Sequence, residues 1–132
     1  EKDIELANRL FDMARDGDTA QLKAYLDAGV STRLRNHAGD SFLTLAAYHE
    51  HPDTVAMLIA AGAEIEHAND RGQRPLTCAT FKRDVASMRH LLAAGADPDA
   101  GTPSARQTAQ MFAGDDLLAV FDGGDTAPSS EA

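Results

Sequence analysis

The sequence contains no tryptophan, and aromatic residues make up only 5% of its 132 positions. Such a chain cannot organise its core around large rings. It must use Ala, Leu, Val, Ile and Met, side chains that suit helix-on-helix packing, so an all-α fold is expected. Cysteine occurs once, at Cys78, which excludes an internal disulfide framework; its place in an apolar run reads as a small buried hydrophobe rather than a reactive thiol. No apolar run approaches the roughly 20 residues that cross a bilayer, and the N-terminal EKDIELANRL lacks the basic and apolar regions of a signal peptide. No membrane partner is expected. Positive charge is also scarce. Twelve Lys and Arg stand against 21 Asp and Glu, a net charge of -9, and without a Lys/Arg-rich stripe the chain would repel a phosphate backbone, so no nucleic acid is expected either. The expected compartment is cytoplasmic, or exported or periplasmic if a leader upstream of Glu1 has been trimmed.

What the chain does have is a period. A shift of 33 residues superposes Gly29, Gly62 and Gly95, each closing a helical pattern: YLDAGV, LIAAGA and LLAAGA. The same shift pairs Asn36 with Asn69, Gly39 with Gly72, Leu43 with Leu76, Ala46 with Ala79, and Leu58-Ile59 with Leu91-Leu92, the signature of stacked structural units. Each unit reads as a turn, a short helix, a tight reversal, a longer helix and a glycine stop. Ser41 can cap a first helix over Phe42 to Tyr48, Pro52 can open the second because its missing N–H costs nothing there, and Gly62 can close it in the left-handed conformation. Leu43, Leu45, Ala46 and Ala47 on the short helix, with Val55, Leu58 and Ile59 on the long one, mark the buried faces at i, i+3, i+4 spacing. At roughly 1.5 to 3 kcal/mol for each buried Leu or Ile, one pair cannot offset its own ordering entropy, so neighbours must stack. Ala46, Ala47 and Ala79 let the stacked helices approach closely.

The segments Gly39 to Ala47 (GDSFLTLAA) and Gly72 to Ala79 (GQRPLTCA) resemble the ankyrin repeat, whose signature is G-x-T-P-L-H-x-A-A. LLAAGAD, Leu91 to Asp97, resembles the end of its second helix. The resemblance implies an ankyrin-repeat solenoid over 1–122, built of helix-turn-helix units with short hairpin-like loops. The units run over about 3–35, 36–68, 69–101 and 102–122, followed by a flexible polar tail at 123–132. The first unit keeps Leu10, Ala14, Leu22, Leu26 and Gly29 but carries Arg9 and Asp12, as a cap with one polar face would. In the last unit a one-residue insertion puts Thr108 to Ala113 on the signature, and about four residues are missing before Leu117 to Phe121. Thr44 and Thr77 stand where the family has histidine, and Arg74 where it has threonine, so the usual Thr-to-His bond is replaced or absent.

Ankyrin arrays generally bind proteins through hairpin tips and inner helices. The resemblance therefore implies a protein-protein interaction module, monomeric, that binds a partner protein along its concave face. The family's variable positions fall here on Arg35, His37, Ala38 and Asp40 near one hairpin and on Asp70, Arg71 and Gln73 near the next, with Tyr48, His49, Phe81 and Lys82 at the inner-helix ends. Tyr48 and Phe81 are 33 residues apart and should be partly exposed. The acidic balance points to a partner with a basic patch, but Arg33, Arg35, Arg71, Arg74, Lys82 and Arg83 gather around the middle hairpins and turns, and if the face is locally basic it would prefer an acidic partner segment. A metal site built from His49-Glu50-His51 with His37 and His67 is the enzyme-class alternative, but two histidines at i, i+2 do not share a helix face and neither HExxH nor CxxC spacing is present. His51 also falls where the family often has a structural histidine. Ser41, Thr108 and Cys78 lie at cap or core positions with no base placed to activate them. No catalytic residue, metal or cofactor is assigned, and the chain is not expected to be an enzyme. A spacer module within a larger polypeptide is the remaining alternative.

Overall fold

The computed structural model describes residues 2–112 and 114–123; the expected polar tail lies outside the described residues except for Gly123. Eight helices follow one another: α1 (Lys2–Asp16), α2 (Thr19–Asp27), α3 (Phe42–Tyr48), α4 (Pro52–Ala60), α5 (Pro75–Phe81), α6 (Val85–Ala93), α7 (Ala105–Phe112) and α8 (Asp115–Phe121). The odd-numbered helices pack in sequence as an inner layer and the even-numbered ones as an outer layer. Among the described residues the only bridge-type pairing is the isolated Gly101 to Ser104 contact.

The boundaries follow from the residues that make them. The Ser41 hydroxyl accepts the Thr44 N–H at 3.1 Å, Pro52 opens α4, and Asp84 caps α6 by accepting the Ser87 N–H. The second helix of each of the first three units ends in the same paired bonds. In α4 these are Ala63 N–H to the Leu58 carbonyl and Gly62 N–H to the Ile59 carbonyl, both 3.0 Å. This geometry requires a left-handed residue, and Gly62 takes φ 90°. Gly29 and Gly95 repeat it at φ 112° and 103°.

The reversal between inner and outer helices is equally regular. Asp18 N–H bonds to the Met13 carbonyl, His51 to Ala46, Asp84 to Ala79 and Gly114 to Ala109, at 2.9 to 3.0 Å. One residue within this turn is left-handed in each of the first three units: Gly17, Glu50 and Arg83. Gly17 is obligatory, because the space a Cβ would need is filled by the His51 ring, whose Nε2 bonds to the Arg15 carbonyl at 2.8 Å. Glu50 and Arg83 adopt the same conformation with side chains, which L-residues rarely do. Both are engaged across the next boundary: Glu50 pairs with Lys82 at 3.8 Å, and Arg83 donates to the Phe112 carbonyl.

The same bonds correct the expected register of the last unit. Ala109, not Ala113, is equivalent to Ala79, so α7 begins at Ala105, three residues before Thr108. The signal is a capping box overlooked in the sequence: the Ser104 hydroxyl accepts the Gln107 N–H at 3.1 Å, while the Gln107 side chain accepts the Ser104 N–H at 2.8 Å. The shortening of this unit falls in the loop before α7 and not between α7 and α8.

Leu43, Leu45, Ala46, Ala47, Val55 and Leu58 are buried as expected, whereas Ile59 is only partly so. Phe42 is fully buried against Phe11, ring centroids 4.7 Å apart, and joins the first two units. The Thr-to-His bond of the family is replaced at Thr44, whose hydroxyl lies 3.1 Å from that of Ser41. At the other repeat Arg74 instead turns its guanidinium to the Glu66 carbonyl at 2.8 Å.

Leu58 is wholly buried at the centre of the outer layer. Leu58→Ala should therefore cost about 2 to 5 kcal/mol, the range for buried leucine truncation, read as a lower urea midpoint. A change under about 1 kcal/mol, the size of a surface substitution or less, would mean that α4 is not held by its neighbours.

Candidate partner-binding face

The hairpins that flank the inner helices are built on asparagine. Asn36 Oδ1 accepts the Ala38 and Asp40 N–H groups at 3.0 and 2.9 Å, and Asn69 Oδ1 accepts those of Arg71 and Gln73, both at 2.9 Å. Asparagine suits the position because its short amide can replace backbone partners within a turn. Asn69 Nδ2 also donates to Asp40 at 2.7 Å, and Asp70 N–H donates to the Ala38 carbonyl at 3.0 Å, so consecutive hairpins are tied together. His67 Nε2 lies 2.8 Å from the Gly39 carbonyl and secures the same junction.

Two neighbouring hollows lie between these hairpins and the inner helices. The first, about 280 Å³, is bordered by Arg15, His37, Asp40, Tyr48, His49, Arg71 and Gln73. The second, about 210 Å³, lies between Phe81, Phe112, Pro103 and Thr108, and shares Arg71 and Gln73 with the first. Tyr48 and Phe81 are 36% and 48% exposed. Their rings are positioned by neighbours: Lys82 sits 4.9 Å above Tyr48, and Phe112 meets Phe81 edge to face at 5.5 Å.

Of the residues expected at the face, Arg35, Asp70 and Lys82 line neither hollow. Arg35 pairs with Glu64 at 2.7 Å, and Asp70 packs its carboxylate beside Gly39. Arg15 and Phe112 line the hollows without having been expected there. Arg15 lies on the degenerate first helix, outside the repeat alignment, and Phe112 was hidden by the wrong register of the last unit.

The electrostatics also correct the expected basic face. Arg33 and Arg35 both reach Glu64, Arg74 lies 3.7 Å from Glu66, and Lys82 is paired with Glu50. Four of the six cations are thus engaged by three carboxylates, Arg33 and Arg35 sharing Glu64, so the face is less basic than the count of cations suggests. His49 remains in a positive setting: burial and then the charges of Arg15, His51 and Lys82 lower its pKa, against a weaker opposing pull from Asp16. Cys78 is 2% exposed and burial, with help from Asp40, pushes its thiol up to about 12, which removes thiolate chemistry at neutral pH. Among the described residues no group of three His, Cys, Asp or Glu could hold a metal ion. His51 and His67, two of the histidines of the metal alternative, have their Nε2 atoms committed to backbone carbonyls.

Residues 10–102 match the family model described as ankyrin repeats in three copies. The chain belongs to the ankyrin-repeat family. Arrays of this family generally act as protein-protein interaction modules. A Pseudomonas aeruginosa protein named as an ankyrin repeat protein is 49% identical over 53 residues, 40% of this chain and 31% of its own length. An inactive serine/threonine-protein kinase of Mus musculus is 32% identical over 95 residues, 72% of this chain and 7% of that protein. An ankyrin repeat-containing protein of Treponema pallidum is 35% identical over 85 residues, 64% of this chain and 28% of the relative. The chain spans less than a third of the length of each of these relatives. Among the described residues, no helix of this ankyrin-repeat chain is long and apolar enough to cross a membrane.

Two measurements check this geometry. Asn69→Ala removes a buried amide that satisfies two backbone N–H groups and one carboxylate; it should lower stability by about 1 to 3 kcal/mol, and an unchanged melting temperature would contradict the clamp. Lys82→Gln should raise the His49 pKa in an NMR titration, since it removes a positive charge that opposes protonation; a fall or no movement would contradict the assignment.

Proposed function

We propose that this ankyrin array is a monomeric, non-enzymatic recognition module that binds one protein partner along its concave face, through the inner-helix ends and the two middle hairpins. The observation that carries this reading is where the exposed large apolar side chains lie. Six such residues occur among those described: Ile4, Leu34, Tyr48, Phe81, Met111 and Phe112. Three of them, Tyr48, Phe81 and Phe112, stand at the C-terminal ends of α3, α5 and α7 and line the two hollows. Scattered exposed hydrophobes need no explanation, but a row of aromatics across successive repeats is the composition of an interface centre.

The hollows are too shallow and small to enclose a drug-sized ligand, whose pockets span about 300 to 1,000 Å³. The row instead offers a partner several anchor points at repeat spacing. His37, Asp40, Gln73 and His49 supply a polar border, in keeping with the anatomy of transient interfaces.

The reading is tested by capture from cells that produce the protein, with wild type and the Tyr48→Ala/Phe81→Ala variant as baits and mass spectrometry as readout. A genuine partner should be retained by wild type and lost by the variant, with affinity reduced by about 2 kcal/mol or more as for hot-spot truncation, while the melting temperature holds. Equal capture by both baits would move the interface elsewhere or favour the spacer reading. A collapse of the melting temperature would show that the two rings belong to the core.

A further inference from the structure

Arg71 differs from the other cations of the middle repeats. Arg33 and Arg35 are held by Glu64, Arg74 by Glu66, Lys82 by Glu50 and Tyr48, and Arg83 by the Phe112 carbonyl. Across the first hollow, Arg15 is paired with Asp12 at 2.5 Å. Among the described residues Arg71 has no such partner: it is exposed, and its guanidinium makes no ion pair or hydrogen bond.

Its root is nevertheless rigid. The Arg71 N–H donates to Asn69 Oδ1, and Asn69 is itself tied to Asp40 of the preceding hairpin. The nearby carboxylates do not compete for it. Asp40 accepts from Asn36 and Asn69, and Asp70 is turned towards Gly39. A fixed backbone with an open guanidinium fork is suited to grip a carboxylate through two parallel hydrogen bonds.

Arg71 also borders both hollows. On one side is the polar hollow of Tyr48 and His49; on the other, Phe81 and Phe112 meet edge to face and leave ring surface open towards Pro103. Their hollow, about 210 Å³, has room for a single large side chain.

Building on concave-face binding, we infer that the partner docks through an extended peptide segment. It would present a carboxylate to Arg71 and, beside it, a bulky apolar side chain to the Phe81 and Phe112 hollow. The net charge of -9 argues against a long polyanion as the occupant, since such a ligand would be repelled over its whole length. One carboxylate at one uncommitted guanidinium escapes that penalty, because the attraction is local and the remaining repulsion is screened within about 10 Å.

The probe is a displayed library of random dodecapeptides, panned on the intact chain, with the enriched peptides then synthesised for fluorescence anisotropy. The enriched sequences should share Asp or Glu beside Phe, Leu or Trp. Arg71→Glu should weaken them roughly tenfold or more, with Arg71→Lys restoring only part because an ammonium lacks the fork. The melting temperature should not move, since Arg71 has no internal contact to lose. Replacing the peptide carboxylate by Arg should recover binding to Arg71→Glu and not to wild type. Peptides that lose affinity with Phe81→Ala but are indifferent to Arg71→Glu, or that carry no acidic residue, would overturn the carboxylate anchor while leaving concave-face binding in place. A library that enriches nothing, or binders indifferent to both substitutions, would overturn both.

Discussion

Each helix pair of this protein carries more apolar surface than it can bury alone, and the rest of the structure depends on how that surplus is covered. Leu43 and Ala46 on α3, Leu76 and Ala79 on α5, and Ala105 and Ala109 on α7 are almost wholly buried, although these helices are only seven or eight residues long. Helices of that length are marginal in isolation. They persist because α3 and α5 have an inner-layer neighbour on each side and α7 packs on α5 and α8, and the alanines let the backbones come close. At the N-terminal end, where no earlier unit exists among the described residues, Arg9 and Asp12 replace apolar residues and leave a solvated face.

Stacking also explains why the connecting turns are so constrained. A reversal that strayed by one residue would misplace the outer helix relative to the next unit. The turns are therefore secured from the neighbouring repeat: the His51 ring against Gly17, Lys82 to Glu50, and Arg83 to the carbonyl that ends α7. Left-handed Glu50 and Arg83 are disfavoured locally, and bonds across the repeat boundary hold them in place. The hairpins follow the same logic through Asn69 and Asp40. The tied hairpins hold the backbone of Arg71 in place beside Phe81 and Phe112, which end α5 and α7.

The consequence for recognition is that charge counted along the sequence and charge available at the surface differ. Six cations cluster around the middle repeats, and four of them are engaged by three acids, Glu50, Glu64 and Glu66. Glu64 and Glu50 lie about one repeat from the cations they meet and brace successive loops and turns, whereas Glu66 and Arg74 belong to the same segment between α4 and α5. Among the described residues Arg71 is the one of these six cations whose guanidinium has neither an ion pair nor a hydrogen bond, and it borders both the polar hollow and the aromatic one.

The sequence by itself determined the period, the helix stops at Gly29, Gly62 and Gly95, the cap at Ser41 and the helix start at Pro52, and the apolar faces. These features are local: a cap, a left-handed stop or an i, i+3, i+4 stripe is written within one or two turns of chain, and repetition at 33 residues reinforces each of them. The exposure of Tyr48 and Phe81 was legible for the same reason, since it follows from their position in the repeat. Only the tertiary structure decided the register of α7, where the repeat is shortened and the Ser104 to Gln107 cap replaces the family signature. It alone decided that Arg35 and Lys82 are held in ion pairs while Arg71 stays open, and that Arg15 and Phe112 line the hollows. Those outcomes depend on which side chains from different repeats come within a few ångströms of one another, a relation between units that no single unit encodes.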